Sequence, residues 1–147
     1  MLKNIPSILS PDCLKALMEM GHGDELVIAD GNFPVASVAQ RLIRLDGHGV
    51  PEILRAILEF FPLDTYVELP VGLMAVSPGD TTQPVIWDEY RRILQESNEP
   101  FTTFEFIERF SFYARAQKAY AIIATSESAL YANIVLKKGV VVRSCES

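Results

Sequence analysis

Four short apolar runs constrain this chain more than any other feature: residues 26–29 (LVIA), 72–76 (GLMAV), 120–125 (YAIIAT) and 131–136 (YANIVL). Each is continuous rather than alternating, which is the pattern of a strand covered on both faces. Stretches of helical periodicity lie between them. Together they predict a helix-covered, largely buried sheet of the α/β class. Only residues 126–130 separate the last two runs. That is too short for a parallel crossover and predicts a hairpin, so the sheet should be mixed. The expected architecture is a layered α/β/α fold with a mixed central sheet. At 147 residues and 49% hydrophobic content, one domain over 1–147 with a real core is expected.

Punctuation residues set the helices. Ser10-Pro11 supplies an N-cap and a first-turn proline, Leu14, Leu17, Met18 and Met20 form the apolar stripe, and Gly21 closes the helix. Pro34 opens a short helix to about Gln40, with Val35, Val38 and Ala39 inward. Residues 41–45 alternate like a half-exposed strand, and 46–49 form a turn. Pro51 begins a helix to about Phe61, burying Ile53, Leu54, Ile57, Leu58 and Phe61, and Pro62 stops it. Residues 65–69 read as extended and 77–84 as a surface loop. Residues 86–96 form a helix carrying Trp87, Tyr90, Ile93 and Leu94. Residues 104–107 fit strand or helix equally, and 111–119 are helical.

The charge balance narrows the function. Thirteen basic against nineteen acidic residues leave a net charge of −6, which opposes binding to nucleic acid or to an anionic membrane surface. No apolar run nears the ~18 residues of a membrane span, and no secretory leader is evident. Cys13 and Cys145 lack the spacing of a zinc site. Two free thiols in a reducing cytoplasm are expected.

Chemistry concentrates at residues 21–34, GHGDELVIADGNFP. His22 sits between two glycines, and Asp30 follows the core strand where Gly31, Asn32 and Pro34 break it. An imidazole suits proton transfer near neutral pH, although a lone histidine is often structural and an aspartate here can simply form the turn. Arg109 can either bind a ligand or pair with Glu105 at i, i+4. Tyr131 and Asn133 lie at i, i+2 and so share a face of the last strand. Phe101, Phe104, Phe106, Phe110, Phe112 and Tyr113 form a dense aromatic group suited to core or interface, and His48 reads as a turn residue. Phosphate-binding loops, dinucleotide fingerprints, nucleophile elbows and HExxH are absent, so no cofactor or metal is expected. The remaining set suits acid–base chemistry on a small polyhydroxylated ligand.

At these residues the sequence resembles the sugar mutarotases that include L-fucose mutarotase and D-ribose pyranase. The resemblance runs through LSPDCLKALMEMGHGDELVIADGNFP at 9–34, RLDGHGVPEILRAIL at 44–58, LDTYVELP at 63–70 and ERFSFYARAQKAYAIIATSESALYANIVLKKGV at 108–140. GHGDE with the later FP, and RF-x-FY-x-RA-x-KA, resemble the fucose branch. Ala132 departs from the Gly that many fucose-type members carry. The resemblance implies an RbsD-like fold and isomerase activity on free L-fucose anomers without a cofactor. It implies His22 as proton donor and Asp30, Arg109, Tyr131 and Asn133 as sugar contacts, with Tyr113 and Tyr120 as further candidates. It also implies a cytoplasmic, ring-like homo-oligomer, often a decamer, with sites near subunit boundaries.

Rival readings stay open at this point. They are a mutarotase for ribose or galactose, a sugar-binding protein without turnover, and a structural oligomer. One geometric demand is already visible. His22 and Asp30 are eight residues apart, about 26 Å if extended, far more than a pyranose spans. Either the glycine loop folds back, or the two residues of one site come from different subunits.

Overall fold

The computed structural model describes residues 1–144. Cys145 lies outside the described residues, and Cys13 is a buried free thiol. Eleven elements follow one another: α1 Pro11–Glu19, β1 Glu25–Ala29, α2 Val35–Val38, β2 Leu42–Arg44, α3 Val50–Ile57, β3 Val71–Met74, α4 Ile86–Glu96, β4 Glu105–Ile107, α5 Arg109–Lys118, β5 Ala121–Ala124 and β6 Ile134–Lys137.

The strands form one six-stranded sheet in the order β2-β5-β1-β6-β3-β4. β1 pairs parallel with β5, β5 with β2, and β3 with β4. β6 alone runs antiparallel, between β1 and β3. The sheet is therefore mixed, but β5 and β6 are not a hairpin. They flank β1 on opposite sides, and the connection 125–133 passes over the end of β1. Two strand spacings are about 10 Å, a gap that a turn-length count could not distinguish from one spacing.

Side chains alternate across the strands, so the continuous apolar runs feed two cores. Leu26, Ile28, Ile123, Ile134 and Leu136 face α1, α3 and α4. Val27, Ala29, Ile122 and Val135 face α2 and α5, where Phe33, Phe112 and Ala116 pack. This is the expected three-layer arrangement.

The helix caps follow the sequence at α1, where the Ser10 hydroxyl accepts from the Cys13 N–H at 3.1 Å. Its end differs: Met20 in extended conformation is the C-cap, and the positive φ falls on Gly23 at +88°. Met18 is 84% exposed, because its neighbour Leu17 takes the inward position. Residues 65–69 form no strand; the edge is closed instead by one antiparallel bridge between Leu63 and Lys138. The ambiguous 104–107 stretch resolves as the edge strand β4, leaving Phe106 exposed while Phe104 and Ile107 are buried. No helix among the described residues is long and apolar enough to cross a membrane.

Candidate functional site

Five strands point the same way, so their carboxyl ends share one edge of the sheet, where open α/β sheets gather ligands. The loops after β1 and β3, the start of α5 and the segment entering β6 converge there on a pocket of about 260 Å³. Asp30, Arg109, Tyr113, Tyr131 and Asn133 all line it. A larger groove of about 620 Å³ lies between α3, α4 and residues 6–8, but it contains none of the candidate residues.

Asp30 is buried. Its carboxylate accepts from the Asn32 N–H at 3.0 Å, while its own N–H donates to Asn133 Oδ1 at 2.7 Å. Burial pushes its carboxyl above the ordinary range, the N–H groups of Asn32, Phe33 and Ala132 pull the other way, and the charge of Glu127 adds to the rise. The Asn133 bond pins the two strand ends together across the connection 125–133. Gly31 completes the seam, with its N–H on the Glu127 carbonyl at 2.8 Å.

Arg109 begins α5. It makes no ion pair with Glu105, which stands on β4 and binds Arg115 at 2.9 Å instead. Arg109 is left over the Phe110 and Tyr113 rings, 5.6 Å from each centroid. Its neighbour Glu108 caps the helix through the Ser111 N–H at 3.0 Å. The Phe110 and Ser111 amides hold that carboxyl below its usual range.

Tyr131 and Asn133 reach the same pocket, but not as alternate residues of a strand. β6 begins at Ile134, and Tyr131 adopts a left-handed φ of +57°. That conformation costs a side-chain-bearing residue about 1–2 kcal/mol. The phenol donates to Asp80 and accepts from the Ser77 N–H at 3.3 Å. Hydrogen bonds from Thr82 and Tyr131 hold the Asp80 carboxyl below its ordinary value. Nothing in the sequence marked Ser77 or Asp80 beyond their place in a polar loop.

His22 lies at the other edge. It precedes β1, and five residues of strand, about 16 Å, separate it from the Asp30 edge. Its Nε2 meets Asp64 Oδ1 at 3.0 Å, and the ring packs on Tyr66 with centroids 4.9 Å apart. The Asp64 side chain is 4% exposed and that of His22 is 44%. Burial acts to raise the Asp64 carboxyl, but the Tyr66 N–H and the His22 ring outweigh it and the group is lowered. Asp64 was missed because its partner is 42 residues away. Tyr120 also sits at this edge, before β5, in a shallow groove with Asp12, Lys15 and Glu19. There the Arg41 guanidinium lies 4.0 Å from its ring centroid.

One chain thus brings Asp30, Arg109, Tyr113, Tyr131 and Asn133 together and leaves His22 and Tyr120 at the opposite edge. The glycine loop does not fold back. The pocket offers two carboxylates, a guanidinium, two phenols and two amides, which suits hydroxyl recognition and proton acceptance. No group of three potential metal ligands occurs among the described residues.

Comparison with known proteins adds to this geometry. Residues 3–141 match the family described as RbsD / FucU transport protein family. The human fucose mutarotase is 49% identical over 95% of this chain and 94% of its own length. The L-fucose mutarotase of Actinobacillus pleuropneumoniae is 46% identical over 95% and 97%. A crystal structure of the Streptococcus pneumoniae fucose mutarotase in complex with L-fucose matches with a TM-score of 0.92 at 53% identity, covering 96% of this chain and all of that one. Bacillus subtilis RbsD complexed with D-ribose shares the fold at a TM-score of 0.71 and 24% identity.

Proposed function

This chain belongs to the RbsD / FucU family, and from that premise we propose that it is an isomerase interconverting the α and β anomers of free L-fucopyranose. The reading treats 1–147 as one cytoplasmic mutarotase domain. The observation that carries it is the pocket at the carboxyl edge of β1. There a buried Asp30 with a raised carboxyl, Arg109, Tyr131 and Asn133 converge, in a chain about half identical to fucose mutarotases along nearly its whole length.

The reaction needs one acid and one base. A proton is delivered to the ring oxygen, the anomeric hydroxyl loses its proton, and the C1–O5 bond breaks to give the open aldehyde. Rotation about C1–C2 and the reverse steps close the ring on the other face. No electrons are gained or lost. His22 is the proton donor. Asp30 accepts from or orients a hydroxyl, and its raised carboxyl makes it a better base than a solvated one. Arg109 donates a fixed fork of N–H groups, and Asn133, Tyr131 and Tyr113 complete the hydroxyl contacts. Tyr120 supports the His22 edge.

Since His22 and Asp30 occupy opposite edges of the sheet, a complete site takes His22 from one copy and the pocket from its neighbour. A contact between two different edges is heterologous, and such contacts close into rings where the rotation between copies closes. A ring-based homo-oligomer fits this arrangement, and the family resemblance implies a decamer. Exposed Phe110 beside the pocket and Tyr66 beside His22 are apolar surface suited to that contact.

Saturation-transfer proton NMR tests the activity. One anomeric proton of L-fucose is inverted at equilibrium, and transfer to the other is timed. Faster transfer that disappears in His22→Ala is expected. Transfer unchanged by the protein for L-fucose but accelerated for ribose or galactose would replace the substrate. No acceleration with any free sugar would overturn the enzyme reading.

A further inference from the structure

The segment 129–133 carries three of the residues that line the pocket, Leu130, Tyr131 and Asn133, yet belongs to no helix or strand. Its central residue, Tyr131, is held in a backbone conformation that side chains rarely adopt. Such a conformation persists only where the surroundings over-determine it. The surroundings here are two side chains from the opposite layer. Trp87 donates its indole N–H to the Tyr131 carbonyl at 2.7 Å, and Tyr90 donates its hydroxyl to the Ala132 carbonyl at 2.7 Å. Trp87 and Tyr90 stand at i, i+3 on α4, which puts both on one face of the helix. Tyr90 is fully buried, so its hydroxyl bond is shielded from water, and Ala132 is fully buried beside it. Neither aromatic lines the pocket.

We propose that Trp87 and Tyr90 are positioning residues for the sugar pocket: by gripping the consecutive carbonyls of Tyr131 and Ala132 they hold the left-handed turn that aims the Tyr131 phenol and Asn133 amide at the ligand. Both carbonyls are taken from the α4 side. On the pocket side, Asn133 Oδ1 is taken by the Asp30 N–H and the Tyr131 phenol by Asp80 and Ser77. The turn is thus fixed from two layers at once. Without the α4 bonds, Tyr131 would be free to relax toward an ordinary φ, carrying its phenol away from Asp80. The functional half of this inference rests on the sugar-pocket reading above. The mechanical half does not.

The test uses Tyr90→Phe and Trp87→Phe, each of which keeps an aromatic ring while removing one donor. Leu94→Ala, which opens the same buried face of α4 without touching the turn, is the control for stability loss. Amide hydrogen exchange by mass spectrometry, run without ligand, is expected to quicken in the peptide covering 129–133 in both aromatic variants beyond any change in Leu94→Ala. L-fucose affinity by calorimetry is expected to weaken roughly five- to tenfold, the size associated with one buried hydrogen bond. In a Tyr131→Ala background the Tyr90→Phe effect on affinity should shrink to the part carried by Asn133. Unchanged exchange at 129–133, or an equal loss of affinity in Leu94→Ala, would overturn the proposal. Absence of L-fucose binding by the unaltered protein would sink the sugar reading alone, and the exchange data would still decide whether α4 holds the turn.

Discussion

Replacing Asp64 by Asn isolates one charge. The same oxygen, Oδ1, accepts from the Tyr66 N–H at 3.0 Å and meets His22 Nε2 at 3.0 Å. An asparagine carbonyl in that position keeps the one oxygen that accepts both bonds and loses only the charge assistance. Charge-assisted bonds are about twice as strong as neutral ones, which makes the difference about 1 kcal/mol per bond. His22 is half exposed, so water discounts its share. The expected loss is about 1–2 kcal/mol, or about 3–6 °C in Tm for a chain of this size, measured at fixed protein concentration because the proposed association would make Tm depend on it. Asp64→Ala strips both acceptors in a buried place and should cost about 3–5 kcal/mol.

Activity should follow the ring. On the proposal that His22 is the proton donor, its displacement by about an ångström loses on the order of 100-fold, so the anomer-exchange rate should fall about 100-fold in Asp64→Ala and less in Asp64→Asn. The pH dependence has a definite sign. The folded Asp64 carboxyl is lowered, so its contribution is complete above the unfolded value of about 3.9 and fades as pH falls through the folded value. The Tm gap between wild type and Asp64→Asn should therefore be constant near neutrality and close in acid. A folded Asp64→Ala protein with wild-type exchange would refute the reasoning.

Asp30→Asn should act in the opposite direction. The buried carboxyl is raised, so its ionised form costs stability at pH 7, a cost that disappears as pH falls through the folded value. The variant should melt above wild type at pH 7, lose that advantage in acid, and exchange anomers far more slowly; a lower Tm at pH 7 would contradict the burial argument. Gly139→Ala should be severe, because a Cβ there would stand 2.5 Å from the Leu63 carbonyl oxygen and 2.8 Å from the Asp64 Cα, both backbone. Overpacking costs about 1–3 kcal/mol, a contact with rigid backbone falls at the upper end, and it would shift Asp64 and hence His22. Gly72→Ala comes closer than 3 Å to side-chain methyl groups alone, those of Ile107 at 2.6 Å and Val135 at 2.9 Å, with the Glu105 carbonyl oxygen at an ordinary 3.6 Å, and methyl groups can shift. Thermal melts that rank the two variants equally would argue against this difference.

The layered fold was legible because continuous apolar runs have one economical explanation, burial on both faces. α4 was expected from Ile86 to about Glu96 and spans Ile86–Glu96; α3 was located from its proline and apolar spacing, but it ends at Ile57 rather than near Phe61. Strand adjacency was not legible: the few residues between β5 and β6 fit a hairpin as well as a step over β1. The same ambiguity hid why Asp30 and Asn133 meet, since their bond exists only because β6 lies against β1. Arg109 could not be freed from Glu105 until 105–107 proved to be strand, which turns Glu105 toward Arg115. Asp64, Ser77 and Asp80 carry no local pattern, and their roles come from contacts made 42, 54 and 51 residues away.

The sharpest test of a site shared between copies is subunit mixing. His22→Ala and Asp30→Asn proteins are each prepared inactive, unfolded together, reassembled at equal ratio, and checked for mixed oligomers by native mass spectrometry. If each site takes His22 from one copy and Asp30 from its neighbour, roughly a quarter of the sites in a random ring carry both native residues. About a quarter of the wild-type anomer-exchange rate should return. Verified mixed oligomers that recover no exchange would contradict the account.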